Sequence, residues 1–296
     1  MHYFKCPIQF YQSRTPLFPV LQFLALDTRS ASIEEITTLI KAVHSPNFYQ
    51  LNLNAYQNSP RSLLYVSNVV REHSSIRALA LELRNNGLNT RTTDFIVVLN
   101  DISPMLELPS LTEFSLRVLG GRVSADAILG MGRSWPHLRR LDITYMVDAI
   151  FPLSDRASIT LNALCNMVQS WPDLQYLRLP FTARGIAIES ASAQDDIHWV
   201  TPSSRSLRIL DATQADMDGG DGAIMRTALA VRTLFPALRE LLYDKDLVCE
   251  EAQETDNRFV QGNDYYDENL NACRRVAKQW MLVAKALNRV NKGTKA

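Results

Sequence analysis

One eleven-residue phrase occurs twice, almost unchanged. It reads W-P-H-L-R-R-L-D-I-T-Y from Trp135 to Tyr145 and W-P-D-L-Q-Y-L-R-L-P-F from Trp171 to Phe181. Both fit W-P-x-L-x-x-L-x-L, so the same local structure is required twice. In each copy the last two aliphatics lie two apart, the spacing at which strand side chains return to one face. The first aliphatic sits just ahead of the strand and turns inward with them. The proline has a definite task. A residue before Pro is pushed out of the helical region, so a helix must stop there before the strand begins.

Looser copies of the L-x-x-L-x-L triplet run along most of the chain. They are Leu21, Leu24 and Leu26 after Phe18-Pro19; Phe48, Leu51 and Leu53; Ile76, Leu79 and Leu81; and Leu111, Phe114 and Leu116 after Leu108-Pro109. After the two full copies come Leu207, Leu210 and Ala212, then Leu238, Leu241 and Tyr243 after Phe235-Pro236. That makes about eight copies at intervals of roughly 27 to 36 residues. The triplet is the leucine-rich-repeat signature, and the longer intervals imply lengthened loops. The predicted fold class is α/β: a leucine-rich-repeat solenoid, or horseshoe, with parallel strands on the concave face and helices on the convex face. Each repeat packs only on its neighbours, so core is added linearly along the chain.

Helical stretches alternate with these strands. A capping box, Ser32 with Glu35, opens one helix whose apolar stripe includes Ile36, Leu39, Ile40 and Val43. Further helices are expected over 60–73, 92–106 (disturbed by Pro104), 124–134 with Ser124 as cap, 158–170 and 221–234 with Asp221 as cap. Met1 to Thr15 is read as a strand or loop covering the first repeat, and 182–206 as an irregular insertion. The organisation expected is a solenoid over 1–268, with an acidic, mobile loop at about 244–268, and a basic capping helix over 269–296. Along that helix Leu270, Cys273, Ala277, Trp280, Ala284 and Leu287 alternate three and four apart, among Arg274, Arg275, Lys278, Lys285 and Arg289. A solenoid end needs a cap with a polar outer face.

Composition narrows the function classes. Formal net charge is zero, so no global field points to nucleic acid or an anionic membrane. Four scattered cysteines without a C-x-x-C pair fit reduced thiols in a cytoplasmic or nuclear protein. The amino terminus shows no signal peptide, and no apolar run reaches the length of a membrane span.

Chemistry-bearing motifs are sparse. The D-M-D-G-G-D-G loop from Asp216 to Gly222 is similar to part of a calcium loop. Counted from Asp216, however, its sixth position is Asp221 rather than Gly and its twelfth is Thr227 rather than Glu. It reads as a polar strand-to-helix loop. His44, His73, His137 and His198 are isolated, Cys165 lies on an apolar helix face, and no G-x-S-x-G, Walker or G-x-G-x-x-G phrase is present. The chain is read as a non-enzyme, with no catalytic residues, no metal and no cofactor.

What remains is the strand face opposite the leucines. It carries Phe23 and Asp27, Gln50 and Asn52, Glu113 and Ser115, and Arg140 and Asp142, then Tyr176 and Arg178, Asp211 and Thr213, and Glu240 and Leu242. Aromatics, Arg and carboxylates are side chains that protein interfaces use. The candidate protein-binding residues are Arg140, Asp142, Tyr176, Arg178, Asp211, Thr213 and Glu240.

The W-P-x-L-x-x-L-x-L frame at Trp135 and Trp171, with its Phe-Pro and Leu-Pro variants at Phe18, Phe235 and Leu108, resembles the irregular repeats of F-box proteins, most closely the fungal group. The resemblance covers roughly Phe18 to Tyr243. It implies a substrate-recognition module of a ubiquitin ligase, whose repeats hold the protein to be modified. No L-P-x-E-I/L helix of F-box type precedes Leu21, so the expectation is a repeat array without a recognisable F-box, either shortened or working without ligase recruitment. A cullin-type ligase adaptor is an implied partner if an F-box is present in the full gene product. The Asn that usually follows the third leucine is replaced by Arg29, Met146 and Gln214 in three copies, which implies less regular turns. The alternative is a structural or regulatory repeat protein that binds a partner through its acidic loop and basic terminal helix.

Overall fold

The computed structural model describes residues 18–28, 33–57, 62–85, 95–119, 121–146, 159–184, 204–217, 220–245, 248 and 264–293. Two compact units divide the chain, 1–140 and 141–296. The protein is α/β, and its strands pair in parallel.

The first unit holds β1 (Phe23–Thr28), α1 (Ile33–Lys41), β2 (Gln50–Gln57), α2 (Ser62–Val70), β3 (Ala78–Asn85), β4 (Phe95–Val97), α3 (Leu99–Ile102), a 3-10 turn (Met105–Glu107), β5 (Glu113–Leu119), β6 (Gly121–Val123) and α4 (Ala125–Ser134). Strands β1, β2, β3 and β5 lie side by side in that order, and β4 pairs with β6 separately. The register aligns the triplets: Leu24 stands opposite Leu51, Leu51 opposite Leu79, and Leu79 opposite Phe114. The third slots align likewise through Leu26, Leu53, Leu81 and Leu116. A slip of one residue would turn every leucine to the other face, so burial of this row fixes the pairing.

The second unit holds β7 (Arg140–Met146), α5 (Leu161–Val168), β8 (Tyr176–Arg178), β9 (Ile209–Asp211), α6 (Asp221–Leu234), β10 (Glu240–Leu242) and α7 (Asp264–Gly293). Its strands again follow chain order, and Leu177, Leu210 and Leu241 are aligned. Burying such a leucine contributes about 1.5–3 kcal/mol, so the aligned rows are a major stabilising term in each unit.

Two local devices recur. In five copies the residue before the proline accepts, through its carbonyl, the N–H of the first leucine-slot residue three positions on. Phe18 to Leu21, Ser45 to Phe48, Trp135 to Leu138, Trp171 to Leu174 and Phe235 to Leu238 all close this turn, at 3.0 to 3.2 Å. Pro is preset for the second place of such a turn. Trp135 (φ −120°, ψ 69°) and Phe235 (φ −126°, ψ 69°) share one non-helical conformation at the ends of α4 and α6. The second device is a carbonyl that accepts two successive amides of the next strand. Gln22 takes Tyr49 and Gln50, Tyr49 takes Arg77 and Ala78, Arg77 takes Thr112 and Glu113, and Thr112 takes Arg139 and Arg140. In the second unit Gln175 takes Arg208 and Ile209, and Arg208 takes Arg239 and Glu240.

Trp135 and Trp171 are fully buried, and Trp135 meets the Phe114 ring at 4.9 Å. The Ser124 hydroxyl accepts the Ala127 N–H and starts α4 where the sequence placed it. Ile36, Leu39, Ile40 and Val43 are buried as one stripe, while Ser32 lies outside the described residues. So do Met1 to Thr15 and most of the insertion and the acidic loop.

Two expectations are corrected. Residues 92–106 do not form one helix. Phe95-Ile96-Val97 becomes β4, because a run of aromatic and β-branched residues finds a parallel partner in Gly121–Val123. Among the described residues of this span, the α-helix before Ser103 and Pro104 is limited to Leu99–Ile102. The cap of α6 is Gly220 and not Asp221. Gly220 has φ 104°, a conformation that side-chain-bearing residues rarely adopt, and Asp221 is the first helical residue.

Helix α7 begins at Asp264, ahead of the expected Asn269, and packs on α6. Trp280 is its anchor: its ring meets Phe181 at 5.6 Å and its indole N–H donates to the Ala215 carbonyl at 3.0 Å. Arg274, one of the basic residues along this helix, is buried. Among the described residues no helix is long and apolar enough to cross a membrane.

Candidate binding surface opposite the leucines

Because strand side chains alternate, the residues between and beside the leucines share the opposite face. In the first unit this face is open. Phe23, Asp27, Glu113, Arg117 and Arg140 are exposed, and Gln50, Asn52, Asn54, Glu82 and Ser115 are partly so. Arg117 of β5 lies 4.0 Å from Glu82 of β3, a cross-strand ion pair near solvent. Such a pair contributes little stability, about 0–1 kcal/mol, and keeps both groups within reach of a partner.

In the second unit the same face is closed into a polar network. Asp211 is only 5% exposed. Its Oδ2 accepts the Tyr176 hydroxyl at 2.9 Å and faces the Arg178 Nε at 3.4 Å. Its Oδ1 accepts the Thr213 N–H at 3.0 Å, and the Arg178 Nη2 donates to the Thr213 hydroxyl at 3.0 Å. Asp142, 3% exposed, accepts the Thr144 hydroxyl at 2.9 Å. Burial pushes the Tyr176 phenol well above its ordinary range, with Asp211 and then Asp142 adding to the shift by repelling a phenolate.

The seven candidate residues therefore divide. Arg140 and Glu240 are exposed; Tyr176, Arg178 and Thr213 are half-buried; Asp142 and Asp211 are buried. The structure brings Tyr176, Arg178, Asp211 and Thr213 into one hydrogen-bonded cluster. Arg140 and Glu240 are not part of that cluster. A buried carboxylate that already accepts internal donors positions its neighbours and offers a partner little. Sequence reasoning missed Glu82, Arg117 and Thr144. Their signal was present: one further step of the alternation, just past the third slot of each triplet, reaches all three.

The loop after β9 holds a second buried carboxylate. Asp216 is 1% exposed, its Oδ1 accepts the Met217 N–H, and its Oδ2 lies 2.6 Å from the Arg184 Nε. Asp216 also bridges in parallel to Thr182, its N–H donating to the Phe181 carbonyl. Its carboxylate is thus used to hold two loops together. Asp218 lies outside the described residues. Among the described residues no group of three His, Cys, Asp or Glu side chains is placed to hold a metal.

Compared with protein-family models and with curated proteins, the sequence matches none.

Proposed function

We propose that this chain is a non-catalytic protein-binding module: a leucine-rich-repeat horseshoe that resembles the substrate-recognition part of an F-box ubiquitin-ligase receptor. The observation that carries the reading is the aligned register of the triplets. It stacks leucines on one face and repeats one strand of varied side chains on the other, at the roughly 4.8 Å spacing of neighbouring strands. A partner is held by surface complementarity, without bond making. The exposed members of the first unit, Phe23, Glu113, Arg117 and Arg140, make the contacts, and Glu240 is the exposed candidate of the second unit. Within the second unit, Asp211, Tyr176 and Arg178 stiffen its own strand face.

Co-purification of tagged chain from its source cells tests this, with Arg117→Glu plus Arg140→Glu as the variant and an unchanged melting temperature as the fold control. Loss of the partner supports the reading, whereas retention of every partner removes this face as the site. Arg178→Glu is a poor probe, because it sets another carboxylate against buried Asp211. Recovery of a cullin adaptor supports the ligase link. Its clean absence favours the reading in which the acidic loop and the basic helix bind the partner, for which Arg275, Lys278, Lys285 and Arg289 stand exposed along α7.

A further inference from the structure

The last strand of the second unit is covered differently from those before it. Leu174, Leu177, Leu207 and Leu210 are fully buried, whereas Leu238 and Leu241, in the same slots of the final triplet, are partly exposed. Among the described residues β10 ends the strand order. The Leu242 carbonyl accepts the Ala212 N–H at 2.9 Å, on the β9 side. Alternation along the strand therefore turns the Leu241 N–H and carbonyl to the outer edge. Beside that edge, between β10, the end of α6 and α7, lies a cavity of about 370 Å³. Leu238, Leu241, Leu242, Met281 and Leu287 supply the apolar part of its lining. Arg232, Arg239, Lys245 and Lys285 also line it, against the single carboxylate Glu240.

We propose that this groove takes an extended acidic peptide from a separate protein, added as a strand along β10. Side chains of an added strand alternate, so every second residue, apolar, enters the cavity. The carboxylates between them meet Arg239, Lys245 and Lys285, which are exposed at its margin. An edge with outward amides and an apolar flank invites pairing, and its charge selects what pairs. A basic or neutral segment would leave Arg239, Lys245 and Lys285 against one lining carboxylate, Glu240. A second copy of this chain, edge to edge, would bring the same cations together. The groove shares Glu240 and Leu242 with the face opposite the leucines, but the Arg117→Glu plus Arg140→Glu variant lies outside it, so either proposal can fail alone.

The test is fluorescence polarisation with fluorescein-labelled heptapeptides that alternate Val with Glu or Asp, titrated with the full chain. The expected result is saturable binding that weakens with salt, is absent for the Val-Lys counterparts, and is lost when alternate peptide amides are N-methylated. Arg239→Glu plus Lys285→Glu should weaken binding at least about tenfold with the melting temperature kept. If that double variant does not keep the melting temperature, Lys285→Glu alone is read in its place. The proposal is overturned if the acidic set fails to saturate by ~1 mM, if the lysine set binds equally, or if charge reversal leaves binding unchanged. Binding that emerges only after Glu250→Gln, Glu251→Gln and Glu254→Gln would assign the groove to the chain's own acidic stretch, and would also overturn it.

Discussion

The Gln214 carboxamide holds the backbone of Tyr145 by both of its ends: Nε2 donates to the Tyr145 carbonyl at 2.8 Å, and Oε1 accepts the Tyr145 N–H at 2.9 Å. One side chain thus fills the place of a strand neighbour beyond Arg178, where β8 has ended. Gln214→Ala leaves both backbone groups without these bonds and should cost about 1–3 kcal/mol. Gln214→Glu keeps an acceptor for the N–H but sets a carboxylate oxygen against the carbonyl, so it should cost more. Urea unfolding checks both, as a lower midpoint at unchanged slope.

Tyr176→Phe deletes one of the bonds that Asp211 accepts and should cost about 1 kcal/mol. The phenol also predicts a pH response. Its folded-state pKa is raised above the ordinary tyrosine value of 10.0, first by burial and then by the neighbouring carboxylates. The folded state therefore holds the proton more tightly. Stability from this group is complete below the unfolded-state value and declines as pH rises above it. Tyrosinate absorbance should show one tyrosine that ionises only on unfolding, and Tyr176→Phe should remove that component.

His73 should act at the opposite end of the pH scale. Burial lowers its pKa from 6.5, outweighing the Ile40 backbone bond and Glu72, which raise it. Its Nε2 is buried without a hydrogen bond, and its ring meets Phe48 edge-on at 5.3 Å. The unfolded chain then binds this proton more readily than the folded one. The contribution is present above the unfolded-state value and is lost as pH falls from there towards the lower folded value. Thermal melts across that window should show stability falling in the wild-type chain and falling less steeply in His73→Gln.

Three buried tryptophans should respond unequally to replacement by Phe. Trp280 loses its bond to the Ala215 carbonyl. Trp135 and Trp171 lose an indole N–H that is buried without a partner, which offsets part of the lost packing. Trp280→Phe should therefore be the most destabilising of the three by about 1 kcal/mol or more in calorimetry or urea unfolding.

These cases show what the chain discloses by itself. The Ser124 cap, the span of α6 and the aligned triplets depend on local spacing, and all are readable from the sequence. Strand β4 was not, because Phe95-Ile96-Val97 is a short apolar run whose partner, Gly121–Val123, lies far along the chain. Gln214 is assigned from sequence to the usual Asn place, and this is corrected: that place, three past Ala212, belongs to Ala215. The bonds of Gln214 reach across 69 residues to Tyr145, and no local pattern announces them. At the candidate surface, alternation assigned Asp142, Arg178 and Asp211 to the correct face. It could not say that two of them are buried, because what covers a residue is decided by distant side chains.

The carbonyls of Gln22, Tyr49, Arg77 and Thr112, and those of Gln175 and Arg208, each receive two amides from the segment that follows. A gene segment encoding one such stretch can therefore be copied or excised without inventing a new junction. The incoming piece brings two donors for its predecessor and an acceptor for its successor. Changes of length are absorbed between the triplets, whose intervals already range over roughly 27 to 36 residues. Such a chain can lengthen or shorten by descent while the join between neighbours stays the same.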